Sequence, residues 1–341
     1  LSRGDIRVSV PARVGVIGSG YWGRNLVRNF ATLGALSAIC DSDPEAVAGA
    51  SVHCPEAARF TDAAEIFDSP EVGAIVIATP AASHGRLVAA ALAAGKHVFV
   101  EKPLCLDIGE GRELAGAARD RGLTLMVGHL LLYHPAFTAL CRTVESGRLG
   151  TLRYIYSNRL SLGRIRREEN ALWSFAPHDI SMILRLAGAM PERVGTFGGT
   201  FLSPSVADTT LSHLTFAGGV QAHIFVSWLH PYKDHRLVVV GADAMAVFDD
   251  VRAGADKLRL YAHTVGWDGG LPTVSKAEAE AIPYEATEPL EVECGHFLDC
   301  VTTGAAPVSD AAEGLRVLAV LDACQRSLAR GAPILLGDEP P

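Results

Sequence analysis

From Arg13 to about Val127, short apolar runs alternate with stretches of helical periodicity. Val14–Ile17 reads as a buried strand, followed by glycines and a helical stretch to Thr32. Leu36–Cys40 is a second strand and Ala74–Ala78 (AIVIA) a third. An Ala-rich helix at Leu87–Ala94 ends on Gly95, and His97–Val100 is again a strand. Asp107–Gly122 reads as a helix and Thr124–Val127 as a strand. Runs apolar throughout, separated by helices, predict a parallel sheet covered on both faces.

The rhythm then changes. Thr151–Leu160, Val194–Phe201, Thr209–Phe216, Gln221–Trp228 and Arg236–Val240 are strand-like, mostly with no helix between them. Gly218-Gly219 between two of these runs signals a hairpin. A helix near Ala176–Ala187 precedes most of them, and helices at Glu291–Thr303 and Asp310–Arg330 close the chain. Asp310 with Glu313 three residues later is a capping-box start, and Gly331 is a stop. Gly266–Glu280 is the most loop-like stretch. The pattern predicts two domains: α/β with a parallel sheet over residues 1–128, and α+β with a large, mainly antiparallel sheet over 129–341. The last helix is expected to pack back on the first domain.

A chain of 341 residues exceeds what one core usually organises. Its apolar fraction of 49% and charged fraction of 20% are those of a globular protein. A net charge of −8 speaks against nucleic acid and anionic membrane as partners. No apolar run reaches the roughly 18 residues of a membrane span, and Leu1–Val10 lacks the apolar core of a signal peptide. Seven cysteines without a C-x-x-C suggest neither a disulfide framework nor a zinc site. His129 and His134 are badly spaced for a metal, so none is expected. The expected location is the cytoplasm. Of the 30 basic residues only five are lysines, which draws notice to each of them, Lys102 included.

Gly18, Gly20 and Gly23 form G-x-G-x-x-G, with Ser19, Tyr21 and Trp22 between them, after a strand and at the opening of a helix. The first glycine permits a tight turn, the second close approach of backbone to a pyrophosphate, and the third close helix–strand packing. The helix start then faces the phosphates with unpaired N–H groups. Asp41 ends the next strand, about 20 residues on, where a carboxylate accepts from ribose hydroxyls and repels a 2′-phosphate. The cofactor expected of this Rossmann-type domain is therefore NAD.

Thr79-Pro80 and then His84 follow the AIVIA strand, and Glu101-Lys102-Pro103 follows the HVFV strand. This order resembles the glucose–fructose oxidoreductase / inositol dehydrogenase / MocA (Gfo/Idh/MocA) family over nearly the whole chain. The resemblance implies a second domain whose antiparallel sheet carries the sugar site and oligomer contacts, hence a homodimer or homotetramer. It also implies Thr79, Pro80, His84, Glu101 and Lys102 at the cofactor, with Lys102 beside the nicotinamide and the reacting hydroxyl. His84 fits a loop position equally well. A cis Lys102–Pro103 bond is expected, since such bonds are largely confined to X-Pro.

The segments Gly128–Pro135 and Asn170–Asp179 are similar to the branch that oxidises the 3-hydroxyl of UDP-N-acetylglucosamine or its uronic acid. There a partner aminotransferase uses the 3-keto product. Many members of the wider family carry D-x-x-x-H, whereas here Ser174 stands four residues before His178. Alcohol oxidation needs a proton acceptor and a donor to the forming carbonyl oxygen. His178, placed at a helix start by Pro177 and Asp179, is assigned the base, since imidazole titrates near about pH 6.5. Lys102 is assigned the donor, and the reverse assignment fits the same residues. The two are expected to meet over the nicotinamide. Within the run Arg153, Arg159, Arg164, Arg166 and Arg167, Arg159 and Arg164 are favoured for a diphosphate. His129, Tyr133, Asn170 and Trp173 complete the candidate substrate residues, with core packing as the competing role for the aromatics and His129. A free sugar or inositol dehydrogenase, a sugar ketoreductase and a non-catalytic NAD-sensing regulator are the alternative functions.

Overall fold

The computed structural model describes residues 13–163, 165–167 and 169–337. The chain divides into two compact units, one of residues 1–128 with 290–315 and the other of residues 129–289 with 316–341.

The first unit holds β1 (Val14–Ile17), α1 (Gly23–Thr32), β2 (Leu36–Cys40), α2 (Pro44–Ala50), β3 (Ala58–Phe60), α3 (Ala63–Asp68) and β4 (Ala74–Ile77). It continues with α4 (His84–Ala93), β5 (His97–Glu101), α5 (Ile108–Asp120) and β6 (Leu125–Gly128). The strands form one parallel six-stranded sheet in the order β3-β2-β1-β4-β5-β6. β1 and β4 are buried at every position, as strands covered on both faces must be. Aspartates cap α2, α3 and α5: Asp43 accepts from Glu45 N, Asp62 from Ala64 N and Asp107 from Glu110 N. β3 is a short edge strand with exposed residues, so it lacks the apolar signal that marks its neighbours.

Chain-distant residues complete this unit. α8 (Pro289–Thr303) supplies Phe297, whose ring lies 6.3 Å from Phe30 of α1 and 5.7 Å from Phe99 of β5. Ser309 covers the edge of β6, its backbone accepting from Val127 N at 2.8 Å and its hydroxyl donating to Val127 O at 2.6 Å.

The second unit holds α6 (Pro135–Glu145), β7 (Leu152–Leu162), α7 (Ala171–Ala187), β8 (Pro191–Gly199), β9 (Thr209–Phe216), β10 (Gln221–Ser227) and β11 (Leu229–Gly241). β12 (Ala244–Asp249), β13 (Leu258–Asp268), β14 (Leu271–Lys276) and β15 (Glu280–Ala281) follow, and β16 (Ile334–Leu335) comes after α9 (Ala311–Arg330). One ten-stranded sheet results, in the order β14-β13-β12-β11-β7-β10-β9-β8-β16 with β15 beside β13. Its pairs are antiparallel apart from β7 with β10. α7 packs on β7, β9 and β10. The Gly218-Gly219 hairpin between β9 and β10 is present, both glycines having positive φ.

Two expectations need correction. The stretch 266–280 is not a loop: β13 and β14 pair from His263↔Lys276 to Asp268↔Leu271 around Gly269-Gly270. Both turn glycines have positive φ, 54° and 83°, as a two-residue hairpin of this kind requires. Every residue of β14 is exposed, so no apolar periodicity announces it. The helix carrying His178 starts at Ala171, not Ala176, with Asn170 as its cap. Pro177 lies inside it, where the proline withholds a single N–H without ending the helix.

Phe297→Ala removes the ring shared by α1, β5 and α8. It should lower stability by about 3–5 kcal/mol, read as a lower denaturant midpoint.

Candidate active site

The glycine loop leads from β1 into α1. Gly18 has a φ of 92°, and a Cβ there would stand 2.7 Å from the Ala78 carbonyl oxygen. A Cβ on Gly23 would stand 1.8 Å from Gly18 O, so the turn can only be made of glycines at both places. Around Gly20 nothing lies within 4 Å of a built Cβ, which leaves open space for a pyrophosphate against the backbone. Unlike α2, α3 and α5, α1 opens without a side-chain cap on its N–H groups. These features fit a dinucleotide phosphate.

Asp41 follows β2 and accepts from Ser19 N at 2.7 Å and from Asp43 N at 3.0 Å. The carboxylate is thereby fixed beside the glycine loop, with lone pairs left for ribose hydroxyls. Tyr21 is 89% exposed, and Trp22 donates its indole N–H to Glu101. Glu101, the last residue of β5, also accepts from Lys102 N at 3.3 Å. Its neighbour on β6 is Gly128, where a Cβ would approach the Glu101 carboxyl carbon to 3.1 Å. The missing side chain makes room for the carboxylate. The Lys102–Pro103 bond is cis, as expected, and Lys102 itself is half-buried.

His84 is 1% exposed, with almost no ring surface to offer a ligand. One ring nitrogen meets Pro103 O at 2.7 Å and the other Thr79 O at 2.9 Å. The imidazole is a strut between the turns after β4 and β5, so the cofactor contact expected of it is withdrawn. Burial holds its pKa below the ordinary range, with the Lys102 charge adding to the effect and the two carbonyls opposing it. The Thr79 hydroxyl pairs with Ser83 Oγ at 2.7 Å, and Pro80 is exposed beside it.

In the second unit His178 sits mid-helix on α7, half-buried. The next residue, Asp179, is fully buried and binds Arg159 in two hydrogen bonds, 2.7 Å from Nε and 3.3 Å from Nη2. Ser157 donates to the same carboxylate. Ser157 and Arg159 stand two apart on β7 and so point to one face. Arg159 is consequently an internal clamp, and its assignment to a diphosphate is corrected. His235, which pairs with Arg159 across β11 and β7, is held neutral at a pKa of about 4 by burial and by the Arg159 charge.

Other substrate candidates are also engaged within the unit. Asn170 Oδ1 accepts from Trp173 N, while the Asn170 side-chain amide N–H and the Trp173 indole both donate to Gln325 Oε1, at 2.9 and 3.1 Å. His129 and Tyr133 are buried, 1% and 5% exposed. Arg164 lies outside the described residues. Among the described residues there is no group of three or more His, Cys, Asp or Glu able to hold a metal, and no helix long and apolar enough to cross a membrane. The pairing of Asp179 with Arg159 and the link from Trp22 to Glu101 escaped the sequence reading. Only the two-residue spacing of Ser157 and Arg159 hinted at either.

The β3-β2-β1-β4-β5-β6 order, the glycine loop and the acid after β2 define an NAD-binding Rossmann oxidoreductase. Residues 12–129 match the family described as "Oxidoreductase family, NAD-binding Rossmann fold", and residues 137–247 match the GFO/IDH/MocA C-terminal domain. The chain belongs to the Gfo/Idh/MocA oxidoreductase family, and its cofactor is NAD. A UDP-N-acetylglucosamine 3-dehydrogenase of Acidithiobacillus ferrooxidans is 29% identical over 310 residues, covering 90% of this chain and 94% of the relative. The solved structure under that name, from the same organism, has a TM-score of 0.81 at 26% identity, covering 93% of this chain and 97% of its own. An inositol 2-dehydrogenase of Ralstonia nicotianae is 26% identical over 332 residues, covering 94% of this chain and 95% of the relative. The protein is thus an oxidoreductase of a family with sugar and inositol dehydrogenases among its members.

Arg159→Met leaves the buried Asp179 carboxylate without its counter-charge. The expected loss is about 3–5 kcal/mol of stability in denaturant, with NAD affinity unchanged. Unchanged stability with a raised KM for a nucleotide sugar would return Arg159 to the diphosphate.

Proposed function

We propose that this protein oxidises the C3 hydroxyl of a UDP-linked N-acetyl amino sugar, using NAD and yielding a 3-keto sugar suited to later transamination. The observation that carries this reading is the near full-length similarity to a UDP-N-acetylglucosamine 3-dehydrogenase. Ser174 in place of an aspartate four residues before His178 favours the same branch over the inositol enzymes. Bound NAD supplies the hydride acceptor. Lys102, in the turn after β5, donates a hydrogen bond to the sugar oxygen as negative charge develops on it. His178 takes the hydroxyl proton. The C-terminal ends of parallel strands are where such sheets receive ligands, which favours this role for Lys102.

A free sugar or inositol dehydrogenase is the second reading, favoured by the similarity to an inositol 2-dehydrogenase. Reduced-cofactor absorbance with a panel of UDP-sugars and polyols separates the two. Turnover of UDP-N-acetylglucosamine or its uronic acid is expected, and turnover of polyols alone would replace the first reading with the second. In Lys102→Ala, kcat should fall at least about a hundredfold with NAD still bound. Full turnover in that variant would remove Lys102 from the chemistry.

We also propose a homodimer or homotetramer. One face of the second unit's sheet exposes Phe197, Leu211 and Tyr154, which cross-strand pairing sets on the same side. Light scattering should give a mass of two or four chains, and a single-chain mass would reject the assembly.

A further inference from the structure

One acid of the first unit has no part in the chemistry above. Glu293, on α8, is fully buried, and both of its carboxyl oxygens lack a hydrogen-bond partner. Phe297 stands one helical turn further on and joins Phe30 and Phe99, while Phe99 precedes Glu101 by two residues on β5. Residues two apart on a strand share a face, so Glu101 and the aromatic trio point to the same side of the sheet. Among the described residues, Glu101 is the charged group whose field Glu293 feels.

The two carboxyls are treated very differently. Glu101 accepts from the Trp22 indole and from Lys102 N, and its space is cleared by Gly128. These donors favour the anion. Glu293 is buried without a hydrogen-bond partner and feels a negative neighbour, both of which favour the acid. We propose that Glu293 is a positioning residue: it is the proton-bearing half of a carboxyl pair whose ionised half, Glu101, ties the glycine loop to the turn that carries Lys102. A neutral acid at 293 lets Glu101 keep its charge and hold Trp22. A second charge there would repel Glu101 and loosen the link at the phosphate end of the cofactor. The inference rests on the glycine loop being the NAD site and is independent of which sugar is oxidised.

Burial and Glu101 push the Glu293 pKa well above its ordinary 4.5. The folded chain therefore holds a proton that the unfolded chain has released. This contribution to stability is complete below the ordinary carboxyl range and is lost as pH rises towards the folded pKa. Glu293→Gln, neutral at every pH, is the discriminating variant. Wild type should lose up to roughly tenfold in its folding constant per pH unit relative to this variant, beginning above the ordinary carboxyl pKa. NAD affinity, measured by calorimetry on the full chain, should match at neutral pH and fall at alkaline pH in wild type alone. Parallel pH profiles in the two proteins would overturn the proposal. If the variant does not fold, carbon-13 glutamate labelling of the wild-type chain with NAD bound decides instead. One glutamate carboxyl should remain protonated at pH 7, and a spectrum with all of them ionised would overturn the proposal.

Discussion

The first unit depends on a single carboxylate at the end of a central strand. Glu101 closes β5 at the point where the parallel sheet opens to receive a ligand, and it accepts the Trp22 indole from the glycine loop. The loop and the turn bearing Lys102 lie 79 residues apart in the chain, so neither could set the other's position by local preference. His84 makes the neighbouring connection, from the turn after β4 to Pro103. Three turns at one end of the sheet are thus held by side chains bonded from one turn to the next. Gly128 belongs to the same device, since any side chain there would meet the Glu101 carboxyl.

The second unit solves a similar problem with a buried ion pair. α7 carries His178 on a turn next to Asp179, and Asp179 is fastened to β7 through Arg159 and Ser157. Such pairs add little net stability over apolar packing, because desolvating two charges offsets most of their attraction. Their effect is on register. A helix packed by leucines and isoleucines alone can slide or rotate at small cost, whereas a carboxylate with a bidentate arginine has one satisfactory position. The cap at Asn170 and the indole of Trp173 converge on Gln325, which fixes the start of the same helix.

Elements that bury apolar surface were legible along the chain, and those held by hydrogen bonds alone were not. β1, β4 and β9 carry their burial in their side chains, so their bounds were evident from residue type. β14 is exposed along its length and owes its existence to the Gly269-Gly270 turn and the pairing with β13. Pro177 suggested a helix start because prolines usually stand there, but Asn170 had already capped the helix seven residues earlier. The glycine fingerprint was legible because its residue types are dictated by sterics that act locally. The fate of the arginines was not, because a guanidinium that grips a diphosphate and one that grips an internal carboxylate need the same side chain. Scarcity of lysine was equally ambiguous. Lys96 bonds the carbonyls of Ser69 and Val72, and Lys257 binds Asp250, so two of the five have clear structural work.

Charge near His178 also bears on the substrate proposed. One turn before it on α7, Ser174 is 5% exposed, and its backbone N–H already serves Asn170 O at 3.1 Å. An aspartate at that position would place an anion in buried surroundings one helical turn from the imidazole. It would stabilise the imidazolium that forms when a histidine base takes the proton of a neutral polyol. A serine supplies no such charge. It also keeps a negative charge away from the imidazole proposed to meet a diphosphate-bearing substrate. With Arg159 bonded to Asp179, the proposal of an anionic nucleotide sugar draws its electrostatic support from this missing carboxylate and none from that guanidinium.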